Sequence, residues 1–177
     1  MKRLFPIFIA AAIVASPATA QSQVKTPTIP GITHLAQIET TVACSGAIKP
    51  EAVPDIKKLG FVSIINLRLA TEPGANVEAE EAAAKAAGIR YAHLPFSNAA
   101  PDPAIVDRFL QTLSTPGYQP AFIHCSGGGR AAMMWFIKRV LLDKWDNDRA
   151  LEEATQLGLT NQALKTFALD YIQSHRK

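Results

Sequence analysis

The sequence predicts an α/β fold in three layers (α/β/α), with helices on both faces of a central, mostly parallel sheet, and three observations carry that reading. Segments rich in β-branched and aromatic residues alternate with helix-forming ones along most of the chain, the order expected of β–α units with parallel strands. Phe61–Leu67 is apolar at nearly every position, as in a strand covered on both faces. The apolar run Ala121–Ile123 leads through His124 into Cys125, Ser126, three glycines and Arg130, and then into a helix-compatible segment. That order reads as buried strand, tight loop and helix N-terminus, and it places the loop at a strand's carboxyl end, where such sheets bind ligands.

The elements follow in order. Lys2 and Arg3, an apolar run Leu4–Ala15 and the small residues Ala18-Thr19-Ala20 form a signal peptide over residues 1–20. The run is too short to span a bilayer and contains Pro6. Cleavage near Ala20 would release the chain to the periplasm or the cell exterior. Residues 21–31, polar and Pro-containing, read as a flexible lead-in, and 32–177 as one domain. Leu35–Ile38 and Thr41–Cys44 look like short strands, and Pro50–Leu59 like a helix closed by Gly60. Strand Phe61–Leu67 is followed by a loop, Arg68–Asn76, containing Pro73-Gly74. Val77–Ala87 is a helix ending at Gly88, and Tyr91–Phe96 a strand. Asp102 caps a helix that has Pro103 at its first position and runs to about Leu113. The helix from Gly129 to about Lys144 carries Ala132, Met133, Phe136, Ile137, Val140 and Leu141 on one stripe, and helices over Asp148–Leu157 and Thr160–His175 complete the chain.

Composition narrows the function. The formal charge of +3 includes Lys2 and Arg3, so the exported chain is nearly neutral. No basic stripe interleaved with aromatics is present, so no nucleic-acid partner is expected, and the short apolar run with Pro6 gives no reason to expect a membrane partner. His34, His93, His124 and His175 show no ligand spacing with Cys44 or Cys125, so no metal and no cofactor is expected.

The informative stretch is His124-Cys125-Ser126-Gly127-Gly128-Gly129-Arg130. Glycines let the backbone curl until several N–H groups face one concavity, which suits an anion. The helix dipole adds positive potential there, and Arg130 offers a planar two-toothed grip on an oxyanion. The same field is expected to favour the thiolate of Cys125, making it a nucleophile. Ser126, Gly127, Gly128, Gly129 and Arg130 are therefore the candidate substrate-binding residues, and His124 a supporting residue that orients the loop and tunes the thiol through hydrogen bonds, read as a buried structural residue rather than a proton carrier.

At these residues the chain resembles the cysteine-dependent phosphatase superfamily, in particular its small dual-specificity-like bacterial members. It is most similar to the β-lactamase-hydrolase-like group with a DSP-like phosphatase domain. Ser45-Gly46 followed by Pro50, Gly60-Phe61, Ile65-Asn66-Leu67-Arg68, Ala84 to Tyr91, Leu94-Pro95 and the loop His124-Cys125 to Arg130 carry the likeness, and Trp135 and Ala150–Leu159 fit it. The resemblance implies a dual-specificity-phosphatase-like fold, and hydrolysis of phosphate monoesters (on protein or small molecule) through a thiophosphate on Cys125. In that superfamily five residues separate the Cys from the Arg, and Ser or Thr follows the Arg. Here four residues, Ser126 to Gly129, intervene, and Ala131 follows. Rhodanese-type sulfurtransferases share the shorter spacing, so a sulfur-transferring or persulfide-handling enzyme is the alternative, and an inactive anion-binding module a third.

Phosphatase chemistry also needs a general acid. Asp102, on the loop after the strand ending at Phe96, is the candidate, although Asp before Pro also reads as a plain helix cap; Asp107 lies one turn further on. Arg68 ends an internal strand and either points toward the loop or forms a salt bridge. Cys44, at a strand end near the loop, is either a redox partner for Cys125 or a buried cysteine.

Overall fold

The computed structural model describes residues 23–176, so the proposed signal peptide lies outside the described residues. The strands are β1 (Val24–Lys25), β2 (Ala36–Ile38), β3 (Val42–Ser45), β4 (Ser63–Asn66), β5 (Arg90–His93) and β6 (Ala121–His124). They form one sheet in the order β1-β2-β3-β6-β4-β5. β3, β6, β4 and β5 run parallel, while β2 and β1 are added antiparallel at one edge. The expected mostly parallel sheet is therefore present. The segment expected as a flexible lead-in contributes a strand, because Val24 and Lys25 pair in register with Ile38 and Gln37. Two residues of polar chain next to prolines carry too little alternation for that pairing to be read from sequence.

The helices are α1 (Val53–Lys58), α2 (Val77–Ala87), α3 (Pro103–Ser114), α4 (Gly129–Leu141), α5 (Asn147–Gln156) and α6 (Gln162–His175). The segment read as one helix from Pro50 begins as a 3-10 turn over Pro50–Ala52 before α1. Side chains cap four of the helices: Asn76 accepts from Ala79 N–H, Asp102 from Ala104 N–H, Asp146 from Arg149 N–H and Asn161 from Leu164 N–H. Each bond satisfies one of the amide donors that a helix start leaves open.

Strand alternation sorts the core into two layers. Ala43, Ile64 and Phe122 face α1 and α2. Val42, Cys44, Ile65, Leu67 and Ile123 face the layer built from α3 to α6. α4 lies at the centre of that layer, against the sheet on one side and α5 and α6 on the other. It is consequently buried all round from Arg130 to Lys138, rather than on the single stripe expected. The polar groups this drags inside are paired: Lys138 Nζ lies 2.7 Å from Asp143 Oδ2, and Trp135 Nε1 donates to Glu153 Oε1 at 2.7 Å. No described helix is long and apolar enough to cross a membrane.

The α3 cap gives a direct check. Replacing Asp102 with Ala is expected to lower stability by about 1 kcal/mol in urea unfolding, whereas Asn, an equivalent cap, should cost only a few tenths.

Candidate active site

The loop after β6 sits where four parallel strands end. β6 is flanked by β3 and β4, with His124 in register with Ser45 and with Asn66. Cys125 N–H donates to Ser45 O at 3.1 Å, which continues the ladder to the cysteine itself. The chain then turns sharply. Gly128 holds φ +98°, a left-handed conformation that a side chain would strain, and stands as the N-cap of α4. The first backbone bond of α4 runs from Ala132 N–H to Gly128 O at 3.0 Å. The N–H groups of Gly129, Arg130 and Ala131 come before it and so have no partner within the helix. Gly128 N–H donates to Cys125 Sγ at 3.1 Å, placing the sulfur inside the turn. Cys125 is 2 % exposed, while Ser126 and Gly127 stand in solvent at the rim.

A second strand end braces the loop from the side. Ala47 N–H donates to Ser126 O at 3.1 Å and Gly46 N–H to Thr33 O at 2.7 Å. A Cβ added to Gly46 would meet Thr33 Oγ1 at 2.6 Å and Ser126 O at 2.9 Å, so only glycine permits this approach.

Arg130 is buried, and its guanidinium has partners in three other chain segments. Nη1 donates to Leu67 O at 3.0 Å, to Phe96 O at 2.7 Å and to Glu72 Oε1 at 2.6 Å. Nη2 donates to Glu72 Oε2 at 2.8 Å and to Ser126 Oγ at 3.0 Å. Burial works against the guanidinium charge, but the Glu72 hydrogen bond and the neighbouring Cys125 sulfur raise its pKa above the usual value. Burial also pushes the Glu72 carboxyl up. The bonds from Arg130 and Leu69 N–H, with the charges of Arg130 and Arg68, outweigh this and bring it down to about 2.

Arg68 does not reach into the cradle. It folds back on its own loop, donating from Nη1 to Gly74 O at 3.0 Å and from Nη2 to Pro73 O at 2.6 Å. That arrangement shapes the loop so that Glu72 turns toward Arg130.

The expected tuning of the thiol by His124 is not what the structure shows. His124 is fully buried, and its Nε2 lies 3.2 Å from Glu80 Oε2 of α2. Both ring nitrogens lack a hydrogen-bond partner among the described residues, so the contact is electrostatic rather than a directed bond. Alternation along β6 accounts for this, because His124 shares its face with Phe122, which packs in the α1–α2 layer, whereas Cys125 packs with the other layer. Glu80 also accepts from Asn66 Nδ2 at 2.8 Å and from Tyr91 OH at 3.2 Å.

Cys44 is a fully buried free thiol in the same apolar layer as Cys125, which is also free. Burial, then the charge on Cys125, then Glu153, hold its pKa well above the ordinary thiol value. Asp102 is exposed, and its Oδ1 accepts from Ala104 N–H at 2.9 Å, which is the capping role. Asp107 accepts from Tyr171 OH, tying α3 to α6.

The profile of the family described as "Beta-lactamase hydrolase-like protein, phosphatase-like domain" matches residues 34–142. The chain belongs to this family. A beta-lactamase hydrolase-like protein of Xylella fastidiosa (strain 9a5c) is 29% identical over 119 residues, covering 65% of this chain and 27% of that protein. The chain thus spans about a quarter of the length of the curated relatives it matches. A solved structure of a putative phosphatase from Shewanella putrefaciens CN-32 is similar at TM-score 0.69 and 17% identity, covering 83% of this chain and 96% of that one. P. aeruginosa TpbA is similar at TM-score 0.64 and 20% identity, covering 89% and 92%, and one of its structures holds pTyr. The expected dual-specificity-phosphatase-like α/β fold is therefore shown.

Within this phosphatase-like domain the residues that sequence reasoning passed over are Glu72 and Glu80. Glu72 lies in a loop with no periodicity, and its one signal is the Arg68 four residues before it. Glu80 reads as an ordinary first-turn acid of α2, and only the tertiary packing buries it.

Two outcomes follow from this geometry. The Glu72 carboxyl lies below its usual 4.5 when folded, so its contribution to stability is complete above 4.5 and is lost as pH falls toward 2. Acid unfolding curves of wild type and Glu72→Gln are expected to converge across that window, with wild type the more stable at neutral pH. Gly46→Ala is expected to displace the Ser126 carbonyl and weaken binding of inorganic phosphate, measured by calorimetry, with the sheet's far-UV circular dichroism intact.

Proposed function

We propose that this protein is an exported, cysteine-dependent phosphatase acting on phosphate monoesters of the kind handled by protein-tyrosine and dual-specificity phosphatases. The observation that carries the reading is the Cys125 sulfur seated in a turn of amide donors, with the Arg130 guanidinium locked beside it by Glu72. Family membership and the similarity to TpbA, which binds pTyr in one structure, support it.

In the proposed reaction the Cys125 thiolate attacks phosphorus in line with the leaving oxygen. A sulfur–phosphorus bond forms as the phosphorus–oxygen bond breaks. Backbone N–H groups of the Ser126–Arg130 turn, other than the Gly128 N–H that serves the sulfur, hold the equatorial oxygens and stabilise the charge that builds up on them, joined by the guanidinium as Nη2 exchanges its bond to Ser126 Oγ for an oxygen of the substrate. Water then attacks the thiophosphate, releasing inorganic phosphate and the thiolate.

Asp102 is the proposed general acid. Phe96 O accepts from Arg130, so the segment Ser97–Asp102 leaves from the cradle itself. Protonating a leaving oxygen requires Asp102 to give up its bond to Ala104 N–H. Export is proposed from Lys2, Arg3, the apolar run Leu4–Ala15 and the small residues Ala18-Thr19-Ala20. Mass spectrometry of the protein recovered from the periplasm should give a mass that starts at Gln21.

The four-residue spacing between Cys125 and Arg130 favours sulfur transfer as the second reading. Turnover of p-nitrophenyl phosphate beside thiosulfate-to-cyanide transfer separates the two. Phosphatase turnover should fall by at least about a thousandfold in Cys125→Ser, as for loss of a nucleophile, and by about a hundredfold or more in Arg130→Lys. Transfer to cyanide without phosphate release would reject the phosphatase reading. Asp102→Asn keeps the cap, so its effect should depend on the leaving group: small for p-nitrophenyl phosphate, about a hundredfold for an alkyl phosphate.

A further inference from the structure

A cavity of about 440 Å³ opens beside the cradle, and Gly127 forms part of its lining. One wall is the N-terminal segment, with Thr26 and Thr28 preceding His34 and Leu35; the other is the turn between α5 and α6, with Gln156 and Leu157. The α5–α6 turn is held against the loop, since a Cβ on Gly129 would lie 3.7 Å from Gly158 O and 3.6 Å from Leu164 Cδ1. The opposite wall is anchored as well. Thr33 Oγ1 donates to Ala47 O at 2.7 Å, and Ala47 N–H donates to Ser126 O. His34 follows with φ +46°, a conformation uncommon for a residue with a side chain and one that concentrates at functional sites. Nothing would lie within 4 Å of a Cβ on Gly127, so the rim of the cradle borders open space.

We infer that this cavity is the leaving-group subsite of the Cys125 centre, and that it selects phosphate esters of uncharged alcohols or phenols over polyphosphorylated substrates. The inference rests on the phosphatase reading. Among the described residues that line the cavity, none is Asp, Glu, Lys or Arg. The threonine hydroxyls and the Gln156 amide offer neutral donors and acceptors, while Leu35 and Leu157 offer apolar surface. A leaving group carrying further phosphates would bring several negative charges against a lining whose one ionisable side chain is His34, with no Lys or Arg to replace their hydration. A neutral ring or a short uncharged chain loses little water and gains apolar contact and hydrogen bonds.

The test compares kcat/KM for p-nitrophenyl phosphate, 4-methylumbelliferyl phosphate and inositol hexakisphosphate, followed by release of inorganic phosphate, in wild type, Thr28→Lys, Gln156→Lys and Gln156→Trp. Thr28 and Gln156 are exposed, so these variants are expected to fold, which circular dichroism checks. Wild type should favour the methylumbelliferyl ester over the inositol polyphosphate by at least about tenfold, the discrimination typical of one well-formed pocket. Each lysine variant should move that ratio toward the polyphosphate by about threefold or more at low salt, and high salt should erase the shift. Gln156→Trp should reduce turnover of the bulkier methylumbelliferyl ester more than that of p-nitrophenyl phosphate. If wild type turns over the aryl esters but the ratios stay fixed in all the folded variants, or if it prefers the polyphosphate, the subsite assignment is overturned and the phosphatase reading stands. If wild type turns over no phosphate ester at all, both fall together.

Discussion

A permanently charged guanidinium buried at the carboxyl ends of parallel strands has to be neutralised where it lies, and this requirement organises the site. Arg130 is only 5 % exposed. Its partners are a carbonyl just past β4, a carbonyl beyond β5, the Ser126 hydroxyl and the carboxylate of Glu72. One cation thus ties together the segments that follow three neighbouring strands. Removing Glu72 would leave that charge uncompensated, and breaking a buried pair from one side typically costs about 3–5 kcal/mol; partial exposure of the Glu72 side chain reduces the figure here. The residue proposed to grip an anion therefore also closes the fold.

The period-two alternation of β6 separates two kinds of chemistry. Cys125 faces the α3–α6 layer and the rim of the cradle, while His124 next to it faces α2 and the buried carboxylate of Glu80. Asn66 and Tyr91 complete that lower cluster. Burial, with Glu80 beside it, holds the Tyr91 hydroxyl protonated beyond its ordinary range, so it serves as a donor. The cysteine and its turn stand on one face and the buried polar cluster of Glu80 on the other, and the backbone of a single strand joins them.

How much of this was legible in the sequence depends on how local each cause is. Asp102 before Pro103 announces a helix start because cap and proline act within a few residues, and the structure places the α3 cap there. The glycine run between Cys125 and Arg130 announces a turn for the same reason. β1 is invisible because its pairing with β2 is made by tertiary contact, with no pattern of its own. α4 reads as amphipathic, yet Trp135 and Met134 lie off the expected stripe and are fully buried, since two further helices cover that side. Glu72 belongs to the same class. It acquires meaning only when the Arg68–Asn76 loop folds over Arg130, through bonds from Arg68 to the Pro73 and Gly74 carbonyls.

The loop between Cys125 and Arg130 is one residue shorter than in the phosphatases it resembles. In the resembling phosphatases a hydroxyl after the arginine helps the sulfur depart, and here that position is Ala131, fully buried with no group to donate. The tight turn at Gly128 brings a different donor to the same atom. Its left-handed backbone directs the Gly128 N–H at Cys125 Sγ, 3.1 Å away, and a backbone donor costs no side-chain ordering to hold in place. On the proposed chemistry that amide stabilises the thiolate both before attack and as it leaves the thiophosphate. It also ties departure of the sulfur to the conformation of one glycine. The sulfur thus has a main-chain donor within the turn, at a centre where the residue after Arg130 offers none.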